Sequence, residues 1–252
     1  MIPRTTSYPG ERQRRPRAPR IRLSTPGQRR HHFPMPNAVW PLFDLRIRTP
    51  RLELRLPTDD DFPALLDVIH AGIHPPDTMP FEIPWTDAEG DELSRESMRF
   101  WWRSRGELTA EDWHLPFMVS MAGKVVGSQG VKGTGFPALR EVETGSWVGM
   151  AYQGQGIGKE MRAAVLHFAF AGLGAEVARS GAWADNAASI AVSRALGYED
   201  DGTRRGLRRD VPAEQVRFRM TREGWEDARA DRRHPVVTLD GVGPCLALLG
   251  AA

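Results

Sequence analysis

Alternation of apolar and polar residues predicts the strands of this chain. Leu52, Leu54 and Leu56 alternate with polar neighbours, as a half-buried strand requires. The same reasoning predicts further strands, two of them joined as a hairpin at Ala122-Gly123. These strands cover residues 117–121 and 124–128, a segment that reaches Met150, residues 176–183 and residues 216–220.

Apolar residues three and four positions apart predict two helices in the first half of the chain. The first helix follows Thr58, a favourable N-cap residue, and three aspartates occupy its first turn. The second helix covers about residues 92–105 and is expected to pack Leu93, Phe100 and Trp101 against the core. Its arginines are expected to face solvent.

Two more helices are predicted in the second half. The third begins near Ile157, after three alternate glycines, and its buried positions are Met161, Ala164, Val165 and Phe168. The fourth is capped by Asp185 or Asn186 and ends at Gly197. Strands and helices mixed in this order predict an α/β fold built on one central sheet.

Length and composition favour a single domain with two tails. The chain has 252 residues, of which 40% are hydrophobic, so it can bury a substantial core. We expect a disordered Arg/Pro-rich leader at 1–40, a folded domain at 41–228 and a C-terminal tail at 229–252. The tail is expected to add a strand or to contact another subunit, and the sequence does not choose between them.

The leader carries most of the positive charge. Residues 1–32 hold nine arginines against one glutamate, whereas the net charge of the whole chain is +2. The rest of the chain is therefore mildly acidic. Nucleic-acid binding is disfavoured because the leader lacks the interleaved aromatic residues of a single-strand binder.

The cysteine content and the apolar runs indicate a cytoplasmic protein. Cys245 is the single cysteine, so no internal disulfide framework can form and a reducing compartment is expected. No apolar run is long enough to cross a membrane, and no apolar segment follows the N-terminal charges as in a secretory signal. We expect Cys245 to be an inert apolar residue.

Glycines at 154, 156 and 158 separate a predicted strand from a predicted helix. A turn of this kind presents backbone N–H groups at a helix N-terminus, where the unpaired donors and the helix dipole favour an anion such as a phosphate. The turn lacks the Gly-Lys-Ser/Thr ending of a P-loop and the spacing of a dinucleotide fingerprint. Nucleoside triphosphates and NAD are therefore poor candidates.

Three motifs resemble one family of enzymes. Gln153-x-x-Gly156-x-Gly158 resembles the signature of the GCN-five-related N-acetyltransferases (GNAT). The segment from Glu143 to Trp147 is similar to a strand of the RimJ/RimL subgroup of that family. Asn186-x-x-Ser189 resembles the start of a helix in the same subgroup, and Leu196-Gly197-Tyr198 resembles the end of that helix. The resemblance covers about residues 48–222. It implies a mostly antiparallel, twisted sheet flanked by helices, whose central strands splay apart.

The resemblance also implies acetyl-CoA as co-substrate, without a metal ion. Its pyrophosphate would be held by amides of the glycine turn, its pantetheine arm would enter the gap between the splayed strands, and the Met150 N–H would polarise the acetyl carbonyl. Lys159 or Arg162 could add charge at the phosphates. The residues expected to bind acetyl-CoA are Trp147, Val148, Met150, Gln153, Gly154, Gln155, Gly156, Ile157, Gly158, Lys159, Asn186 and Ser189.

Three residues are candidates for the chemistry. Glu143 matches a glutamate that faces the cleft in the subgroup, so it is the leading general base, although it could equally be an ordinary strand glutamate paired with an arginine. Many family members carry a tyrosine beside the leaving thiolate, and Ser193 stands at that position. Ser189 lies one helical turn earlier. We expect the two hydroxyls to stabilise the thiolate by hydrogen bonding, although Ser189 could instead be a helix cap.

The acceptor is the open part of this hypothesis. Phe81 and Trp85 lie in a proline-rich loop that covers the acceptor site in the family, and they either wall the pocket or pack beneath the loop. Glu141 shares the face of Glu143 and is a further substrate-binding candidate. A protein lysine, a protein N-terminus and a small amine all fit. The alternative is a non-catalytic CoA-binding or protein-interaction module, and homodimerisation stays open.

Overall fold

The computed structural model describes residues 36–231 and 233–252. Of the predicted leader, residues 1–35 lie outside the described residues, and Pro36–Val39 forms a short helical turn. Within the described part, no helix is both long and apolar enough to span a bilayer.

Among the described residues, nine strands form one sheet. They are β1 (Arg46–Arg48), β2 (Leu52–Arg55), β3 (Asp112–Met121), β4 (Lys124–Thr134), β5 (Glu141–Val148), β6 (Val177–Trp183), β7 (Glu199–Arg208), β8 (Val211–Thr221) and β9 (Thr238–Asp240). Their order across the sheet is β7-β8-β6-β5-β4-β3-β2-β1-β9. All neighbours are antiparallel except β5 and β6. The sheet is therefore mixed and mostly antiparallel, as expected.

Five helices of at least nine residues flank the sheet among the described residues. They are α1 (Phe62–His70), α2 (Gly90–Gly106), α3 (Ile157–His167), α4 (Ala187–Ala195) and α5 (Arg222–Ala230). A π-helical turn, Phe168–Gly172, continues α3. Single helical turns occupy Pro41–Phe43, Asp59–Asp61, Trp85–Asp87, Phe136–Leu139, Met150–Tyr152 and Gly243–Cys245.

The two faces of the sheet pack against different helices. In β3, Leu115, Phe117 and Val119 belong to the main core together with the buried side of α3, whereas Met118 packs with α1 and α2. Successive strand residues point to opposite faces, so α3 covers one face and α1 and α2 cover the other. We call these the α3 face and the α1/α2 face.

The central strands β5 and β6 separate after a short paired stretch. They are paired at three positions, the last of which joins Glu143 to Arg179. Beyond this pair β5 continues to Val148 and β6 to Trp183, and each keeps its other neighbour. The expected splay is therefore confirmed, and it opens toward the N-terminus of α3.

Several details differ from the sequence-based expectation. Phe100 is 41% exposed, because the buried stripe of α2 runs through Leu93, Ser97 and Trp101 at intervals of four residues. Phe100 lies beside that stripe, and its ring contacts the edge of His114. The strand expected to reach Met150 ends at Val148. No strand was predicted at β7, which the structure pairs with β8.

The C-terminal segment packs on the domain. Its strand β9 pairs with β1 at the edge of the sheet, and Cys245 and Leu249 are buried in the main core. Burial raises the pKa of the Cys245 thiol to about 11, so this thiol is protonated and poorly reactive at neutral pH.

Candidate active site

The turn between β5 and α3 presents a row of unpaired backbone donors. Within the described residues, the N–H groups of residues 154–159 have no acceptor in the protein, and the first amide of the helix to be satisfied is that of Glu160, which donates to Gly156 O at 3.1 Å. Gly154 and Gly156 adopt φ of +73° and +77°, a region that disfavours other residues. The six amides belong to a turn at a helix N-terminus in which residues 154–156 and 159 are exposed, and such a turn suits a diphosphate.

Side chains from other segments hold this turn in place. Gln153 Nε2 donates to Ile73 O at 2.7 Å and to Val148 O at 2.8 Å, so its amide fastens the turn to the end of β5. Arg51, from the β1–β2 connection, donates through Nη1 to Gln155 O at 3.1 Å. The Gln155 carbonyl is therefore occupied, while the neighbouring amides stay open.

The two basic residues proposed for the phosphates differ in position. Lys159 is exposed in the first turn of α3, next to the open amides. Arg162 is 4% exposed and donates to Ser180 and Ser146 beneath the sheet. The expectation that Arg162 adds charge at the phosphates is therefore wrong, because its side chain points into the α3 face rather than toward the turn.

Two glycines line the gap between β5 and β6 on the α1/α2 face. A Cβ added to Gly145 would meet no atom within 4 Å, and one added to Gly181 would lie 3.7 Å from Val216 O. Both residues are exposed and lie on the same face as Glu143 and Arg179. The sheet therefore has an uncovered floor where the two strands diverge.

Two glutamates of β5 point toward this floor, and their surroundings differ. Glu141 receives a hydrogen bond from Arg179 Nε at 2.5 Å, and Arg179 also binds Asp201 at 2.6 Å. Glu143 is exposed and, within the described residues, has no ion-pair partner. Glu143 is thus the carboxylate of this pair that is free to accept a proton.

An aromatic wall borders the floor. The ring centroids of Trp85 and Trp147 are 6.4 Å apart, those of Phe81 and Trp85 are 5.3 Å apart, and His74 packs edge-on against Phe81. The wall thus joins the proline-rich loop to β5 at Trp147, which lies two residues after Gly145 on the same face of the sheet. All three large aromatic side chains of the wall are partly buried.

The proline-rich loop is anchored on the far side of the gap as well. Trp183 Nε1 of β6 donates to Phe81 O at 3.1 Å. Arg204 of β7 binds Glu82 at 2.9 Å, and Arg209 of the β7–β8 turn binds Asp87 at 2.6 Å. The loop therefore spans the diverging strands from β5 to the β7–β8 hairpin.

The Met150 amide is engaged differently from what was expected. Its N–H donates to Gly72 O at 3.0 Å, at the end of the segment that follows α1. It is therefore not free to polarise an acyl carbonyl in this structure, and that expectation is wrong. The Met150 side chain is 44% exposed beside the turn.

The residues of α4 form its N-terminal cap and its packed face. Asn186, rather than Asp185, is the cap, and its Oδ1 accepts from the Ser189 N–H at 3.1 Å. Ser189 is half-buried, with its hydroxyl on the first turn of the helix. Ser193 is 0% exposed, and its Oγ has no hydrogen-bond partner within the described residues. Ser193 is therefore out of reach of a ligand in this structure, which does not support the expectation that its hydroxyl contacts the thiolate.

Sequence reasoning overlooked the residues that brace this site. Arg51, Trp183, Arg204 and Arg209 act across distances that no local pattern encodes. The sequence contains only a weak indication for Arg51, because an arginine directly before an apolar strand is common. Nothing in the sequence indicates that it contacts a turn about 100 residues later.

Comparisons with known proteins agree with this architecture. A family model described as "Acetyltransferase (GNAT) domain" matches residues 51–199, well over half of the chain. Mycobacterium smegmatis RimJ in complex with CoA-disulfide has a similar structure, with a TM-score of 0.58, 20% identity and coverage of 76% of this chain and 96% of that one.

Two further solved structures share the fold. A RimL ribosomal L7/L12 alpha-N-protein acetyltransferase in complex with coenzyme A has a TM-score of 0.55 and 18% identity, over 69% of this chain and 95% of that one. The microcin C7 self-immunity acetyltransferase MccE, in complex with acetyl-CoA and AMP, has a TM-score of 0.53 and 14% identity, over 68% and 93%.

The protein thus has an α/β fold with a splayed sheet and with unpaired amides at the start of α3. These features are typical of proteins that bind a diphosphate-bearing co-substrate. The chain belongs to the GNAT acetyltransferase family. It is an N-acetyltransferase that uses acetyl-CoA, and the six open amides of the β5–α3 turn fit the pyrophosphate of that co-substrate.

Proposed function

We propose that this enzyme transfers the acetyl group directly to a primary amine, and that it favours the α-amine of a protein or peptide over a lysine or a small amine. One observation carries the proposal. The six open amides lie at the wide end of the gap between β5 and β6, and the free carboxylate of Glu143 lies beside the floor of that gap. A thioester held by its diphosphate in the gap would be within reach of an amine bound at the floor.

The reaction needs one proton acceptor. The amine nitrogen attacks the thioester carbon, the carbon–sulfur bond breaks, its electron pair stays on sulfur, and the amine loses a proton. We assign that proton to Glu143, directly or through water. Trp147 and Trp85 would contact the apolar part of the acceptor, and Glu141 would stay bound to Arg179.

The preference for an α-amine follows from the cost of deprotonating the acceptor. A lysine of pKa near 10.4 is neutral at pH 7 in about 0.04% of molecules, which costs roughly 4.6 kcal/mol, whereas an α-amine of pKa near 7.8 costs only about 1 kcal/mol. Glu143 is a single exposed carboxylate, and Gly181 on the facing strand β6 supplies no second one. This site therefore suits the less basic acceptor.

Acetyl-CoA binding is tested by thermal unfolding. At 100 times Kd the ligand would stabilise the protein by about 2.7 kcal/mol, and Tm should rise by several degrees. Gly156→Glu should abolish the rise, because a carboxylate would enter the phosphate site. Gly202→Glu is a matched control, since Gly202 has a similar φ of +79° and open space around its Cβ in β7. No Tm shift at millimolar acetyl-CoA would refute the proposal.

Turnover is tested by release of free CoA thiol with three acceptors. These are a lysine-free peptide with a free N-terminus, an N-terminally blocked peptide with one lysine, and a small diamine. The first should react fastest. Faster reaction of either other acceptor would overturn the α-amine preference, and binding without turnover on all three would support a non-catalytic CoA-binding module.

A further inference from the structure

A buried arginine lies behind the gap without a counter-ion. Arg162 of α3 is 4% exposed, and its Nη1 donates to Ser180 Oγ at 2.8 Å while its Nη2 donates to Ser146 Oγ at 3.2 Å. Its Nε has no hydrogen-bond partner, and no carboxylate lies within ion-pairing distance among the residues that the structure describes. A guanidinium keeps its positive charge throughout the physiological pH range.

Such a charge is expensive to bury. Buried charges are normally paired, because the interior solvates them poorly. Arg55 shows the usual arrangement, since its partly buried guanidinium is bound by Asp61. The two serine hydroxyls satisfy hydrogen bonds of Arg162 without neutralising it. The positive charge is therefore free to act on a group that enters the gap.

The guanidinium of Arg162 lies at the gap between β5 and β6. Ser146 belongs to β5 and Ser180 to β6, and both lie beyond the last paired residues, Glu143 and Arg179. One guanidinium thus joins two strands that no longer share main-chain hydrogen bonds. Its hydrogen bonds to both strands fix the separation of the strands from the α3 face.

A second unpaired polar group lies at the same place. Gln129 of β4 is opposite Ser146, is 0% exposed, and donates through Nε2 to Gly145 O at 3.0 Å. Its Oε1 has no partner within the described residues. Unsatisfied buried groups are rare in native proteins, and two of them beside the gap indicate a place where a polar ligand completes the hydrogen bonding.

We propose that Arg162 is a positioning residue for the acetyl transfer. It holds the gap at a fixed width through Ser146 and Ser180, and its charge stabilises the CoA thiolate that leaves when the carbon–sulfur bond breaks. The inference rests on the proposed function, in which the thioester enters the gap. It explains how the enzyme works with a buried Ser193 at the position where many family members carry a tyrosine: the thiolate leaves as an anion, and solvent protonates it later.

Other charged and titratable groups around the gap also contribute to its net charge. Tyr198 lies behind it near Arg162 and binds Thr144, and burial raises the pKa of its hydroxyl, so it stays neutral. In front of it, Arg179 is bound by Glu141 and Asp201, and the exposed Glu143 lies opposite Lys132 of β4. Among the described residues around the gap, Arg162 is therefore the buried charge that no opposite charge neutralises.

The test measures the pKa of the thiol of CoA bound to the intact enzyme, from its ultraviolet thiolate absorbance as a function of pH. An opposite charge within about 4–6 Å lowers a pKa by about 1–3 units, so the bound thiol should titrate at least about one unit below the ordinary thiol value near 8.5. Arg162→Met should remove this shift and lower kcat more than it changes KM, and Arg162→Lys should keep part of the shift. Arg194→Met, on the exposed side of α4, is the control.

Two further measurements keep the outcomes separate. The double variant Ser146→Ala with Ser180→Ala keeps the charge, so it should weaken CoA binding while leaving the thiol shift in place. An unshifted thiol pKa in wild-type enzyme that binds CoA would overturn this inference alone, even if Arg162→Met fails to fold. Absence of CoA binding would overturn the proposed function together with it.

Discussion

Arg51 and Glu160 form an ion pair beneath the diphosphate turn. Arg51 Nε lies 2.6 Å from Glu160 Oε2, and the Glu160 side chain is only 10% exposed. The same carboxylate accepts from Thr49 Oγ1 at 2.5 Å, so the β1–β2 connection and the first turn of α3 are joined at this point. Since Arg51 also binds the Gln155 carbonyl, the pair sets the position of the turn to which we assign the pyrophosphate.

Replacement of Arg51 should therefore loosen acetyl-CoA binding. Arg51→Met leaves the Glu160 carboxylate largely buried without its partner, which should cost about 1–3 kcal/mol of stability after allowance for the 45% exposure of the Arg51 side chain. The Kd for acetyl-CoA should rise about tenfold. Isothermal titration and urea unfolding measure the two effects. Arg48→Met, which removes exposed pairs with Glu53 and Asp240, should change both by less than about 1 kcal/mol.

Glu143→Gln should separate chemistry from co-substrate binding. The change removes the free carboxylate at the floor while keeping its shape, so kcat should fall by about 100-fold or more and the Kd for acetyl-CoA should stay within about twofold. Steady-state kinetics with the free-N-terminus peptide measure the first quantity. Glu107→Gln, at an exposed position after α2, should leave both unchanged. An unaltered kcat in Glu143→Gln would remove Glu143 from the mechanism.

Trp85→Ala should affect the acceptor and spare the co-substrate. Trp85 contacts Phe81 and Trp147, so its loss would open the aromatic wall beside the floor. The KM for the peptide should rise about tenfold while the Kd for acetyl-CoA changes little. Trp102→Ala removes a 45% exposed tryptophan of α2 and serves as the control. If the two variants gave the same peptide KM, the wall would only pack beneath the loop.

Stability should fall as the solution becomes acidic because of His114. Burial, with a smaller effect of the Lys132 charge, lowers the pKa of His114 to about 4. Between pH 6.5 and about 4 the unfolded chain therefore binds a proton that the folded protein excludes, so the free energy of unfolding decreases as pH falls through this window.

Protonation of this histidine in the unfolded chain should lower the free energy of unfolding by up to roughly 3 kcal/mol. Urea unfolding at several pH values should show that the free energy of unfolding depends less steeply on pH in His114→Gln than in wild type. Burial also lowers the pKa of His167 and His234, so part of the acid sensitivity should survive in the variant. Equal slopes in the two proteins would show that His114 does not contribute.

The sequence predicted the elements whose side chains have one buried face. The third helix is an example, because its apolar spacing and its glycines specify both the buried stripe and the start at Ile157. Strand β7 escaped prediction for the opposite reason. It contains many charged residues, has no buried side chain, and is held by main-chain pairing with β8, which leaves no apolar pattern.

The candidate site divides in the same way. A local feature, the run of glycines before a helix, was sufficient to predict the open amides. The position of Arg162 was not predictable, because an arginine on a helix is normally exposed and its two serine partners come from β5 and β6. The engagement of the Met150 amide depends on Gly72, which lies about 80 residues earlier in the chain.

The sequence by itself determined the family, the succession of strands and helices, and the glycine turn, since each of these depends on residues that are neighbours in the chain. Only the tertiary structure decided which carboxylate is free, which amide is occupied and which arginine lies behind the gap. These properties depend on partners from distant segments, and burial and hydrogen bonding between such segments exist only after the chain has folded.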